Sequence, residues 1–155
     1  MKALICLIII LLFRSCVDNA SNTSSNSVEG TWKLISGTII EKGDTTVTVY
    51  NKNVSFIKML NKTHFAFLQH DLKKGQDSNA IFVSGGGRYS LINNNYTEHL
   101  EYCSARNWEG NDFNFTISVK GDTLIQTGVE KVENLGINRL NIEKYVRLPI
   151  QLNIK

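Results

Sequence analysis

The sequence predicts an all-β protein built as a single antiparallel up-and-down barrel of about eight to ten strands. Three observations carry that expectation. From Val28 onward the chain runs as short segments rich in Val, Ile, Thr, Phe and Tyr, with no helical period of apolar residues. Residues that accept tight turns separate the segments: Gly43-Asp44, Asn61-Lys62, Asn93-Asn94-Asn95 and Gly121-Asp122. Finally, Phe113, Phe115, Ile117 and Val119 alternate with Asn114, Thr116, Ser118 and Lys120, the pattern of a strand buried on one face.

In chain order the expected strands cover 29–41, 45–50, 53–60, 63–70, 80–84, 87–92, 96–104, 112–120, 123–131 and 139–148. A meander of this length leaves two sheet edges open to other chains, and closure into a barrel removes them. A two-sheet sandwich is the alternative. Gly85-Gly86-Gly87 lacks the Lys-Ser/Thr ending of a phosphate loop and leads into no helix, so it reads as a bulge or bend. Trp108 falls in the loop between 96–104 and 112–120, where an aromatic can cover a barrel mouth or anchor its loop.

A chain of 155 residues suits one such domain. Its 42% hydrophobic and 20% charged residues are those of a folded globular protein. The formal charge of +3 is spread without a basic stripe or interleaved aromatics, which argues against a nucleic-acid partner.

The N-terminus reads as an export signal. Lys2 precedes an apolar run from Ala3 to Phe13, which as a helix would reach about 17 Å and fall short of the ~30 Å hydrocarbon core. Next come Phe13-Arg14-Ser15-Cys16 and then a polar Ser/Asn-rich stretch. The apolar run, small residue and cysteine resemble the lipobox of bacterial lipoproteins, in which the cysteine is acylated and becomes the mature N-terminus. Phe13 and Arg14 depart from its usual pattern, and plain secretion is the alternative. On this reading residues 1–15 are a signal peptide, Cys16 is lipidated, 16–27 are a flexible tether, and 28–150 form the barrel. Cys103 is then the lone thiol of the mature chain, so no internal disulfide is expected.

Val28-Glu29-Gly30-Thr31-Trp32-Lys33-Leu34 resembles the first-strand Gly-x-Trp motif of lipocalins and fatty-acid-binding proteins. The resemblance implies that Trp32 seals one end of the barrel and that Arg147, near the end of the last strand, stacks on it. Over Gly30 to Arg147 the chain is similar to bacterial lipocalin-like lipoprotein domains of unknown function. The likeness runs through Leu60-Asn61-Lys62-Thr63-His64-Phe65-Ala66-Phe67, Gly85-Gly86-Gly87-Arg88-Tyr89, Tyr96-Thr97-Glu98-His99-Leu100-Glu101-Tyr102-Cys103 and Gly128-Val129-Glu130-Lys131. It implies a lipocalin-like fold and no particular activity.

The candidate site centres on Arg88, Glu98 and Tyr102. A three-residue turn at Asn93-Asn94-Asn95 would set Ile92 opposite Tyr96 and make Arg88 and Glu98 diagonal neighbours, on one face with Ser90, Tyr96, Leu100 and Tyr102. Such a face suits a barrel interior that holds a polar-headed molecule. A register one residue different reverses the faces and leaves Arg88–Glu98 an ordinary surface pair. In the last strand Arg139, Asn141 and Glu143 read as a polar solvated face. Tyr145 stays open, because the fatty-acid-binding resemblance implies an inward Tyr there.

His64, His70 and His99 show no metal-ligand spacing, Cys103 reads as a small buried hydrophobe, and neither metal nor cofactor is expected. The expected function is therefore that of an exported, lipid-anchored protein in the periplasm or at the cell surface, binding a small hydrophobic or amphipathic ligand through Arg88, Tyr96, Glu98, Tyr102, Trp108 and Tyr145. Two other classes stay open. One is a small barrel enzyme with Glu98 or Tyr102 as acid or base and Arg88 holding substrate. The other is an interaction module whose barrel is filled by its own phenylalanines.

Overall fold

The structure is a computed structural model that describes residues 27–50, 53–76, 78 and 80–149. The expected signal peptide, Cys16 and nearly all of the expected tether lie outside the described residues. Among the described residues there are nine strands: β1 (Gly30–Glu41), β2 (Asp44–Val49), β3 (Val54–Leu60), β4 (His64–Asp71), β5 (Phe82–Ile92), β6 (Asn95–Cys103), β7 (Asp112–Lys120), β8 (Thr123–Val132) and β9 (Ile137–Arg147). Two single-turn 3-10 helices, Arg106–Trp108 and Glu133–Leu135, lie in the loops after β6 and β8. Among the described residues no helix is long and apolar enough to cross a membrane.

Every pairing is antiparallel, and β1 pairs β9 from Trp32↔Arg147 to Ile40↔Leu140, which closes the sheet. The ring is β1-β3-β4-β5-β6-β7-β8-β9, a lipocalin-like up-and-down barrel, with β2 as an additional strand. A bulge in β1 between Leu34 and Ser36 marks where its other edge changes partner. Before the bulge Gly30–Lys33 pair with β3, and after it Ser36–Glu41 pair with β2. Bulges of this kind raise local twist and let a sheet curl closed.

The two segments expected at 80–84 and 87–92 are one strand. The three glycines between them do not interrupt it, because they let its neighbours approach closely. A Cβ at Gly87 would stand 1.9 Å from the His99 carbonyl oxygen on β6, and one at Gly86 would stand 2.6 Å from that of Phe65 on β4. The β5–β6 ladder shifts at this place: Gly87 faces Leu100 and Gly86 faces Tyr102, leaving Glu101 as the extra residue.

The expected hairpin register needs correction. Asn93 and Asn94 alone make the turn, with Asn93 at a left-handed φ of 56°, and Ile92 pairs with Asn95. A two-residue turn matches the twist of its strands better than a three-residue one. Relative to β6, this reverses β5. Tyr89 and Leu91 pair with Glu98 and Tyr96 and pack against the core, while Arg88, Ser90 and Ile92 point outward. The bulge at Glu101 then turns Tyr102 out and Cys103 in.

The core fills one end of the barrel. Trp32 is fully buried, donates from its indole N–H to the Val28 carbonyl at 2.7 Å, and carries the Arg147 guanidinium 4.0 Å above its ring. Arg147 in turn donates to the carbonyls of Glu29 and Ser27 at 2.6 and 2.5 Å, fastening the entering chain under the barrel. Leu34, Leu60, Phe65, Leu124 and Tyr145 pack above this seal. The β6–β7 and β8–β9 connections lie at the opposite end.

Candidate functional site

Above the packed end the barrel encloses a cavity of about 440 Å³. That volume is within the ~300–1,000 Å³ range of small-molecule sites. Its walls are aromatic: Tyr50, Phe56, Phe67, Trp108, Phe113 and Phe115. Phe56 stacks on Phe67 with centroids 5.8 Å apart and meets Tyr50 edge-on at 6.0 Å, an arrangement that fixes these rings against one another. At the mouth, Trp108 packs on Phe113 at 5.9 Å and holds the Arg139 guanidinium 5.4 Å from its ring centroid.

The floor is polar. Lys58 on β3 is 3% exposed, and its ammonium donates to Glu98 Oε1 on β6 at 2.6 Å and to Gln126 Oε1 on β8 at 2.9 Å. A second carboxylate, Glu143 on β9, reaches 4.0 Å from the same ammonium and accepts the Tyr145 hydroxyl at 2.7 Å. The rings of Phe65, Tyr96 and Tyr145 surround Lys58 at 5.6–5.9 Å, so the cation is also held by aromatic faces. Higher on the wall Glu130 is fully engaged: it accepts from Arg139 Nε and from Asn141 Nδ2, both at 2.7 Å.

Burial alone would lower the pKa of Lys58, but Glu98 and Glu143 outweigh it and keep the ammonium above its ordinary range. Burial pushes the Glu98 carboxyl up in spite of Lys58, and Glu143 adds to the rise. The Tyr145 phenol is raised by burial and by Glu143. Tyr50 is raised by the same two causes, against a smaller opposing pull from Arg139. The Tyr96 hydroxyl is enclosed without a well-aligned hydrogen bond, and burial plus the neighbouring Glu98 charge hold it protonated.

Of the expected site residues, Tyr96, Glu98 and Tyr145 lie together in the interior, and Trp108 stands at the mouth. Arg88 and Tyr102 do not join them. The Arg88 side chain is 68% exposed and pairs with Glu101 at 2.5 Å on the outer surface, and Tyr102 is also 68% exposed. The polar face of the last strand is also corrected: Arg139, Asn141 and Glu143 line the cavity instead of meeting solvent. His99 pairs with Asp112 at 2.8 Å on the outside, whereas Cys103 lines the cavity.

Lys58 and Gln126 were not among the candidates. A signal for Lys58 exists, because it shares strand parity with Phe56 and Leu60 and so follows them inward. For Gln126 the same parity links it to Leu124. A scan against protein-family models finds no match to the chain, and a search of curated proteins finds none either.

Proposed function

We propose that this protein is a lipocalin-like binding protein that takes one small, partly apolar molecule into its barrel, with the molecule's polar group seated on the Lys58–Glu98–Glu143 floor. The observation that carries the reading is the cavity itself: about 440 Å³, aromatic along its walls and closed below by buried, hydrogen-bonded charges. Such a combination gives a ligand apolar contact for its body and an oriented electrostatic partner for its head. The cavity also argues against a barrel filled by its own phenylalanines, since Phe56, Phe67, Phe113 and Phe115 line the space without occupying it.

The enzymatic reading loses its geometric basis. Glu98 is sequestered against Lys58, while Arg88 and Tyr102 project from the outer wall, so the three share no site. In the proposed role the chain is exported and tethered to a membrane through lipid on Cys16, a reading that rests on the Ala3–Phe13 apolar run and Ser15-Cys16. Membership of the bacterial lipocalin-like lipoprotein domains belongs to the same proposal.

Native mass spectrometry of the protein taken from its own cells tests the binding role. A retained small molecule, displaced by denaturation, is the expected result. An empty barrel that also fails to take up a fluorescent amphiphile would sink the proposal. For the anchor, Cys16→Ala should abolish membrane fractionation and leave the precursor unprocessed. Unchanged fractionation would remove the lipid from the reading.

A further inference from the structure

Among the described residues the interior charges do not balance, and the imbalance points to a ligand class. Three carboxylates among the described residues line the cavity, Glu98, Glu130 and Glu143, against two cations, Lys58 and Arg139. Arg139 is committed to Glu130 at 2.7 Å, and Lys58 to Glu98 at 2.6 Å. Glu143 is left with the Tyr145 hydroxyl and a share of Lys58 at 4.0 Å, and its side chain is 15% exposed within a barrel whose floor is otherwise closed. A carboxylate removed from water with only a partial counter-charge is costly, and the cost falls when a cation reaches it.

We infer that the barrel selects organic cations: molecules with an apolar body and a protonated amine, whose ammonium group pairs with Glu143 while the body lies along Phe56 and Phe67. This rests on the binding role proposed above and names the ligand class of that same site. An anionic head group is disfavoured on the same geometry, because Lys58 and Arg139 already hold carboxylates and a further anion would meet Glu143 at short range in a low-dielectric space. The aromatic walls support the choice. Tyr50 and Phe56 present ring surface beside Glu143 and Tyr145, the setting in which ammonium groups gain from both a carboxylate and π-faces. Burial raises the Glu98 carboxyl and the Tyr50 phenol, and the neighbouring Glu143 charge adds to both.

The test uses three probes of one body on the purified full chain: octylammonium, 1-octanol and octanoate, followed by calorimetry at neutral pH. Octylammonium should bind at least tenfold more tightly than octanoate, with octanol between them. Glu143→Gln keeps an acceptor for Tyr145. It should weaken octylammonium at least tenfold while leaving octanol within twofold. Should that variant fail to fold, by near-ultraviolet circular dichroism, the probe order on the wild-type chain decides alone. Octanoate binding as tightly as octylammonium, or an octylammonium affinity indifferent to Glu143→Gln in a folded variant, would overturn the cation preference and leave the binding role standing. Failure of all three probes to bind would remove the binding role as well.

Discussion

Lys58 on β3 and Glu98 on β6 meet at 2.6 Å inside the barrel, joining strands that are not neighbours in the sheet. The pair crosses the interior instead of bracing one ladder, so it ties opposite walls together at the level where apolar packing gives way to the cavity. Gln126 on β8 and Glu143 on β9 extend the tie to the remaining side.

Removing one partner leaves the other buried and uncompensated. Glu98→Ala should therefore destabilise by ~3–5 kcal/mol in a urea titration, as breaking a buried ion pair does. Lys58→Met combined with Glu98→Leu restores apolar contact and should lose clearly less than either single change. Additive losses would show that the two side chains do not act as a pair.

The contrast with Arg88 explains how far sequence reasoning reached. Barrel closure, the strand order and the Trp32–Arg147 end were legible, because alternation and turn chemistry are local and the Gly30-Thr31-Trp32 motif is compact. The site was legible on β6, at Tyr145 and at Trp108. Three consecutive asparagines all accept turn geometry, so Asn93-Asn94-Asn95 left the hairpin register open by one residue, and one residue reverses a face. In β9 the polar parity of Arg139, Asn141 and Glu143 mimics a solvated face. Only the partners contributed by β3 and β8 reveal that this parity lines a charged interior, and such long-range partners leave no mark in the local pattern.

Arg88 sits on the outer wall with Glu101, and exposed pairs of this kind contribute little. Arg88→Met should leave the urea midpoint where it is and leave octylammonium binding unchanged. A large loss of either would place Arg88 in the interior after all.

Trp32 is fully buried under Arg147. Trp32→Ala should cost ~3–5 kcal/mol through lost burial and the cavity left behind. A loss under ~1 kcal/mol in the same titration would mean that the barrel does not depend on this seal.

The bulge opposite Gly87 makes a backbone prediction. With a Cβ the residue would collide with the His99 carbonyl, which is a fixed part of the β6 ladder and not a flexible side chain. Gly87→Ala should cost at least ~2 kcal/mol, as overpacking against rigid surroundings does, and amide exchange should accelerate along β5 and β6 first. Gly121→Ala, in an open hairpin turn with φ of 57°, should strain only its own turn. Equal exchange profiles for the two variants would contradict the close approach.

The buried carboxyl also sets a pH signature. Glu98 binds its proton more readily in the folded chain than at its ordinary value of 4.5, because burial disfavours the charged form. Its contribution to stability is therefore fully present below that value and is lost as pH rises through the raised folded value. Lys58 is raised too, so its contribution persists to alkaline pH and is lost only above the ordinary amine value of 10.5. Asp71 runs the opposite way: the backbone N–H groups of Gly75 and Ile81 hold its carboxyl down, so its contribution is present above 3.8 and is lost as acid overtakes the lowered value. Urea midpoints measured from pH 3 to pH 9 on wild type and on Glu98→Gln separate the Glu98 and Asp71 effects. Glu98→Gln removes the titration, and it leaves Lys58 without its anion only where the wild-type carboxyl is ionised. The midpoint of wild type relative to the variant should accordingly fall as pH rises above 4.5. The acid loss due to Asp71 should be common to both. A wild-type advantage that grows with pH would mean that the attraction of Lys58 outweighs the desolvation of Glu98 on the barrel floor.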